Sequence, residues 1–308
     1  MPETATEQAL ENLITHHRLP PEYRQTLNNI IEPLALSLHQ ASRHGPGPLV
    51  VGIHGAQGTG KSTLTDFLRT LLAHRYQCPT ASLSLDDIYH TRATREQLAR
   101  DVHPLLLTRG VPGTHDLELG NRILEELSEA NAGSRTPLPA FDKATDDREP
   151  QQRWPVFIGK PRIILLEGWC MGARPQPDDE LVKPVNALEA EEDPDGRWRT
   201  YVNEQLRGPY REFFERLHFL IMLQAPSMER VLEWRTLQEH RLAEYRASAP
   251  EEGGSQGSAA PQQRIMSDSA IARFVMHYER ITRHCLEEMP ERADIVLKLD
   301  DNHRMTRE

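Results

Sequence analysis

The sequence predicts an α/β fold: a three-layer, doubly wound parallel sheet preceded by a helical extension. Three observations carry that reading. Short continuous apolar runs at residues 48–53, 162–168 and 219–223 have the length and composition of strands covered on both faces. Longer segments alternate with them, and their apolar residues recur at three- and four-residue steps, as crossover helices do. A glycine-rich turn joins the first run directly to a helical stretch with Leu64, Phe67, Leu68, Leu71 and Leu72 on one face.

Taken in order, residues 1–47 read as a helical extension. Leu10, Leu13 and Ile14, then Leu27, Ile30, Ile31, Leu34 and Leu38, follow helical spacing, with Pro20 and Pro21 as a break. Residues 48–308 read as one domain. Its second strand, near 80–85, ends in Asp86 and Asp87 and is expected beside the strand that feeds the turn. A helix over 116–127 is capped by Thr114 or by His115 and Asp116, and ends at Asn131 to Gly133. A short strand near 137–141 precedes a polar loop. Helices over 198–217 and 228–245 flank the third buried strand; a helix over 267–289 and a strand over 295–299 complete the chain. Segments 178–196, rich in Asp, Glu and Pro, and 249–263, rich in Gly, Ser and Gln, read as mobile insertions.

Composition narrows the function classes. Of 308 residues 46 are acidic and 36 basic, a net charge of −10, with no stripe of Lys and Arg. That disfavours nucleic acid and anionic membranes as partners. Cys78, Cys170 and Cys285 are widely spaced and odd in number, so they read as reduced thiols, with neither a disulfide framework nor a zinc site. No apolar run reaches membrane-spanning length, and Glu3, Glu7 and Glu11 argue against a signal peptide, so a cytoplasmic location is expected.

The turn itself reads Gly55, Ala56, Gln57, Gly58, Thr59, Gly60, Lys61, Ser62, a complete G-x-x-x-x-G-K-[ST] phosphate loop. A strand turning tightly into a helix aims backbone N–H groups and the positive helix end at one point. Lys61 would there reach β and γ oxygens and Ser62 would hold Mg²⁺. The sheet is therefore expected to be of the P-loop nucleoside-triphosphate hydrolase type. No Asn-Lys-x-Asp guanine signature is present, so the nucleotide is expected to be ATP.

Other candidates are weaker alone. Asp86 and Asp87 end a strand at the mouth of such a site, where a carboxylate can align a hydroxyl; the alternative is a solvated turn. Glu167 ends the second buried run as an acid that helps hold Mg²⁺ would, or is a structural strand end. The loop from Arg109 through Gly110 and Gly113 to His115 and Asp116 can approach a small ligand, or serves only as a helix cap. Lys143 and Arg148 form a second polar loop beyond Phe141. Arg230 and Arg235 lie on one helix, as a lid over transferring phosphate or as a solvated face paired with Glu229, Glu233 and Glu239.

Together, in order, the phosphate loop, residues 84–89, His103 to Leu106, Arg109 to Asp116, Phe141 to Lys143, Leu165 to Trp169 and Glu233 to Arg235 resemble the D-glycerate 3-kinase family. That family groups with phosphoribulokinase, uridine kinase and pantothenate kinase among P-loop small-molecule kinases. The resemblance covers about residues 49–300 without the two insertions. It implies ATP as donor, Mg²⁺ as cofactor and a small-molecule acceptor, best D-glycerate. Residues 55–63, Thr63 included, and Arg230 would bind nucleotide. Lys61, Asp86 and Arg235 would be catalytic, with Asp86 orienting the acceptor hydroxyl. Asp87, Tyr89, Arg109, His115, Asp116, Lys143 and Arg148 would line the acceptor site, with Arg109 the first choice for a carboxylate, and Ser62 and Glu167 would hold metal. Ile88 replaces a more usual Phe, Phe141 a more usual Tyr, and the loop after Lys143 is short. All three changes fall on the acceptor side, which leaves other acceptors (nucleoside, pantothenate, sugar) or a regulatory ATP binder with slow hydrolysis as alternatives.

Overall fold

The computed structural model describes residues 3–248 and 266–307; the expected insertion at 249–263 lies outside them. The chain opens with α1 (Glu3–His16), α2 (Tyr23–Thr26), a π turn (Leu27–Ile31) and α3 (Glu32–Ala41). Leu10, Leu27, Ile31, Leu34 and Leu38 are buried with Phe67 and Leu71 of α4 (Lys61–His74), so these helices cover one face of the sheet. β1 (Leu49–Gly55) precedes α4, and β2 (Thr80–Ser84) follows it.

A 3₁₀ turn (Leu85–Ile88), α5 (Arg92–Asp101), a second 3₁₀ turn (Pro104–Leu107) and α6 (Leu117–Glu129) come next. Two small antiparallel ribbons follow. One pairs β3 (Arg135–Pro137) with β6 (Val156–Ile158), and the other pairs β4 (Phe141–Asp142) with β5 (Asp147–Arg148). The strand expected near 137–141 is thus split between two ribbons. β7 (Ile163–Gly168), α7 (Ala187–Glu192), α8 (Arg197–Arg207), α9 (Pro209–Phe214), β8 (Phe219–Gln224), α10 (Met228–Ser248), α11 (Asp268–Glu288), β9 (Ile295–Leu299) and β10 (Met305–Arg307) complete the chain. The helix expected over 198–217 breaks at Gly208 and Pro209, because proline lacks the N–H that would continue it and instead starts α9.

The main sheet runs β10-β9-β8-β1-β7-β2, parallel except for β10. One sequence expectation fails here: β2 does not lie beside β1. β7 pairs with both, matching Glu167 to Ile53 on one side and to Ser84 on the other. Burial explains the order. Ile163 to Leu166 are all buried and suit an interior strand, whereas Thr80, Ser82 and Ser84 suit an edge.

The acidic segment 178–196 is a second correction, because it is built into the fold rather than looped out. Glu189 on α7 is fully buried and holds Arg280 of α11 through both oxygens, at 2.8 and 2.7 Å. Asp193, also fully buried, accepts from the backbone of Trp198 and Arg199 and from the Arg199 guanidinium at 2.8 Å. Composition alone could not reveal these partners, which lie as far as 91 residues away. The three cysteines are buried and unpaired, and among the described residues no helix is long and apolar enough to cross a membrane.

Candidate active site

The phosphate loop closes at the carboxyl end of β1. Gly58 and Gly60 have φ of 81° and 88°, the left-handed region in which a side chain is strained, and Gly60 leads directly into α4. Thr59 Oγ1 donates to the Ala56 carbonyl at 2.8 Å and Lys61 Nζ donates to the same oxygen at 3.1 Å. Burial lowers the pKa of Lys61, opposed by the charges of Glu167 and Asp86. Ser62 Oγ donates to Glu167 Oε1 at 2.9 Å, so the β7 position beside β1 brings these two oxygens together. Thr63 Oγ1 lies 3.4 Å from Nδ1 of His17, just beyond α1.

Two residues from distant segments brace this loop. A Cβ on Gly58 would stand 2.9 Å from Cβ of Trp234 on α10. The His303 ring lies 3.9 Å from the Trp234 ring, centroid to centroid, and its Nε2 donates to the Gly58 carbonyl at 3.0 Å. His303 precedes a strand, β10, that periodicity did not reveal, and nothing in its local sequence marks it.

A second group gathers at the end of β2. Asp86 accepts from the Tyr89 hydroxyl at 2.8 Å and from Lys143 Nζ at 2.6 Å. Burial would raise its pKa, but Lys143 and the Tyr89 hydrogen bond together hold it down at about 2. Asp87 goes the other way, to about 6, through burial and the neighbouring Asp86 and Glu167 charges. The Tyr89 ring stacks on His115, with centroids 4.6 Å apart, and meets Phe141 edge-on. His115 is buried and its pKa falls to about 3, chiefly through that burial. Arg148 donates to the Tyr89 carbonyl at 2.7 Å and to Asp116 Oδ2 at 2.9 Å. Asp116 also caps α6 by accepting from Leu119 N, so the structural and site readings of this residue coexist. Among the described residues, Nε of Arg148 and Nε2 of His115 are buried without a hydrogen-bond partner.

Arg109 reaches that group through Phe141. Its guanidinium is paired with Asp146 and lies 5.5 Å from the centre of the Phe141 ring. Asp146 is itself held by Arg95, which has no exposed side-chain area and also donates to the carbonyls of His90 and Leu107. Arg95 sits in a strongly polar helix, α5, and no sequence signal separated it from its exposed neighbours. The Arg109-Gly110 backbone is fixed by Tyr278 Oη donating to the Arg109 carbonyl and by Trp169 Nε1 donating to the Gly110 carbonyl.

Above the phosphate loop, Arg230 pairs with Glu233 at 2.5 Å and with Asp301 at 2.9 Å; Arg235 pairs with Glu239 at 2.9 Å. Both arginines thus rest on carboxylates. Among the described residues no cluster of three His, Cys, Asp or Glu side chains could hold a metal ion alone. The Ser62–Glu167 pair fits Mg²⁺, which keeps several water or phosphate oxygens and needs few protein ligands.

No protein-family model matches the chain. Over 266 residues it is 29% identical to the uncharacterized kinase mug58 of Schizosaccharomyces pombe, covering 82% of this chain and 86% of that one. Over 240 residues it is 30% identical to the chloroplastic D-glycerate 3-kinase of Arabidopsis thaliana, covering 75% of this chain but 46% of the plant protein. The solved D-glycerate 3-kinase of Cryptococcus neoformans superposes with a TM-score of 0.70 over 94% of this chain and 99% of its own, at 23% identity, a likeness of fold. The chain belongs to the D-glycerate 3-kinase family. Its class is accordingly that of an ATP-dependent phosphotransferase, built on the P-loop α/β fold.

Proposed function

We propose that this kinase transfers the γ-phosphoryl group of ATP to a hydroxyl of a small hydroxy acid, D-glycerate giving 3-phosphoglycerate. The observation that carries the reading is the pairing, at the strand ends on either side of β7, of a phosphate loop with an acceptor side lined by charge. Lys143, Arg148 and the unpartnered nitrogens of Arg148 and His115 favour an anionic acceptor. A nucleoside would call instead for a stacking platform and amide groups.

In this reading the N–H groups of the phosphate loop and Lys61 fix the triphosphate. Ser62 and Glu167 would hold Mg²⁺, which neutralises charge on the phosphate oxygens. Asp86 orients the acceptor hydroxyl. At a pKa of about 2 it is a weak base, which suits a loose transition state whose demand is alignment rather than early proton removal. Lys143, half exposed, can pass from Asp86 to the acceptor carboxylate. Arg230 and Arg235 would leave Asp301, Glu233 and Glu239 to cover the transferring group, whose developing charge they stabilise.

The test is ATP consumption with product mass measured across D-glycerate, pantothenate, nucleosides and sugars. The proposal expects turnover with D-glycerate, and Asp86→Asn should lower kcat by a few orders of magnitude while ATP still binds. Hydrolysis indifferent to every acceptor would mean a nucleotide-driven switch instead.

A further inference from the structure

The orientation of His115 is set by a residue outside all the motifs that carry the family resemblance. Tyr210, on α9, is fully buried, and its hydroxyl oxygen receives the backbone N–H of Gly113 at 3.0 Å. Among the described residues the only other hydrogen-bond partner of this hydroxyl is Nδ1 of His115, so its own proton has no other acceptor. The phenolic proton is therefore donated to Nδ1 of His115, at 2.5 Å. Burial raises the pKa of the phenol well above its usual value, so this proton is present at every working pH. The reverse arrangement, with Nδ1 protonated, would leave a buried O–H without an acceptor, which is unfavourable.

We propose that Tyr210 is a positioning residue that locks His115 in the neutral Nε2–H tautomer, so that a buried N–H stands ready as a donor to the acceptor. The first half rests on geometry alone; the second rests on the acceptor reading given above. His115 Nε2 has no partner among the described residues, and its ring lies against Tyr89, whose hydroxyl is bonded to Asp86. A donor so placed would receive a carboxylate or hydroxyl oxygen of the substrate next to the group that orients the reacting hydroxyl. The α9 helix thereby acts on the chemistry without touching the reactants, and Gly113 is required beside it. With φ of 98°, a Cβ there would also stand 2.6 Å from the Tyr201 ring.

The experiment reads the imidazole nitrogens of the ¹⁵N-labelled full chain by long-range ¹H–¹⁵N correlation, with His115→Gln to assign the signals. The wild type should show a single Nε2–H tautomer for His115 without nucleotide or acceptor, and an Nδ1–H signal overturns the proposal without reference to activity. In Tyr210→Phe the single tautomer should be lost, and KM for D-glycerate should rise about tenfold with KM for ATP unchanged, as expected for one hydrogen bond. In a His115→Gln background, whose amide donates without help, Tyr210→Phe should have no further effect on that KM. Persistence of the rise there would show that Tyr210 acts only through packing, and the positioning role falls. A tautomer lost on Tyr210→Phe with D-glycerate kinetics unmoved would retain the lock and overturn its role toward the acceptor.

Discussion

Asp87→Asn should make the resting kinase more stable, although it lies in the site. Burial first, and then the charges of Asp86 and Glu167 at the same strand ends, raise the pKa of Asp87 from 3.8 to about 6. Lys143 opposes that rise. A folded-state pKa above the unfolded one means the native chain binds the extra proton between those two values. Stability is therefore highest below pH 3.8 and declines as pH rises through 6. Above that the ionised form costs about 3 kcal/mol, since each pKa unit is worth about 1.4 kcal/mol. Asparagine removes the charge and nearly keeps the shape of the side chain. Urea denaturation without divalent cations should show Asp87→Asn more stable by about 3 kcal/mol at pH 8, with the gain shrinking toward zero near pH 4. An equal gain at both pH values, or none at pH 8, would refute the argument from burial and neighbouring charge.

Other expectations follow from single contacts. Lys61→Ala should abolish turnover, read by coupled ATP consumption, because the phosphate loop loses its only ammonium. Gly110→Ala should destabilise the fold by about 2–4 kcal/mol in chemical denaturation: φ is 133° and a Cβ would land on the Tyr278 hydroxyl. Glu189→Gln leaves Arg280 buried beside a neutral group and should cost about 3–5 kcal/mol. It should also open segment 178–196 to limited proteolysis, and an unchanged digestion pattern would argue against the buried pair.

Much of this architecture is visible in the residues themselves. The phosphate loop is legible because its chemistry is local: glycines at 58 and 60, a lysine and a hydroxyl at fixed spacing. The buried strands are legible because an interior parallel strand must be apolar throughout. The order of β1, β7 and β2 differs from the expected one, yet the serines and threonine of β2 mark an edge once polarity is weighed strand by strand. What stayed hidden depends on long-range pairing. Arg95, Glu189 and Asp193 look like solvated charges until their partners arrive from elsewhere in the chain. Tyr210 and His303 bear on the site from segments whose local patterns describe only a helix and a turn.

The insertion of β7 between its neighbours has one more effect. Adjacent strands lie about 4.8 Å apart, so the ends of β1 and β2 are held roughly 10 Å from each other, with Glu167 midway. Because β2 is the rim of the sheet, loops on that flank can be exchanged without disturbing how the nucleotide is clasped. A scaffold divided in this way admits new alcohols through changes on one border while its energy source stays the same.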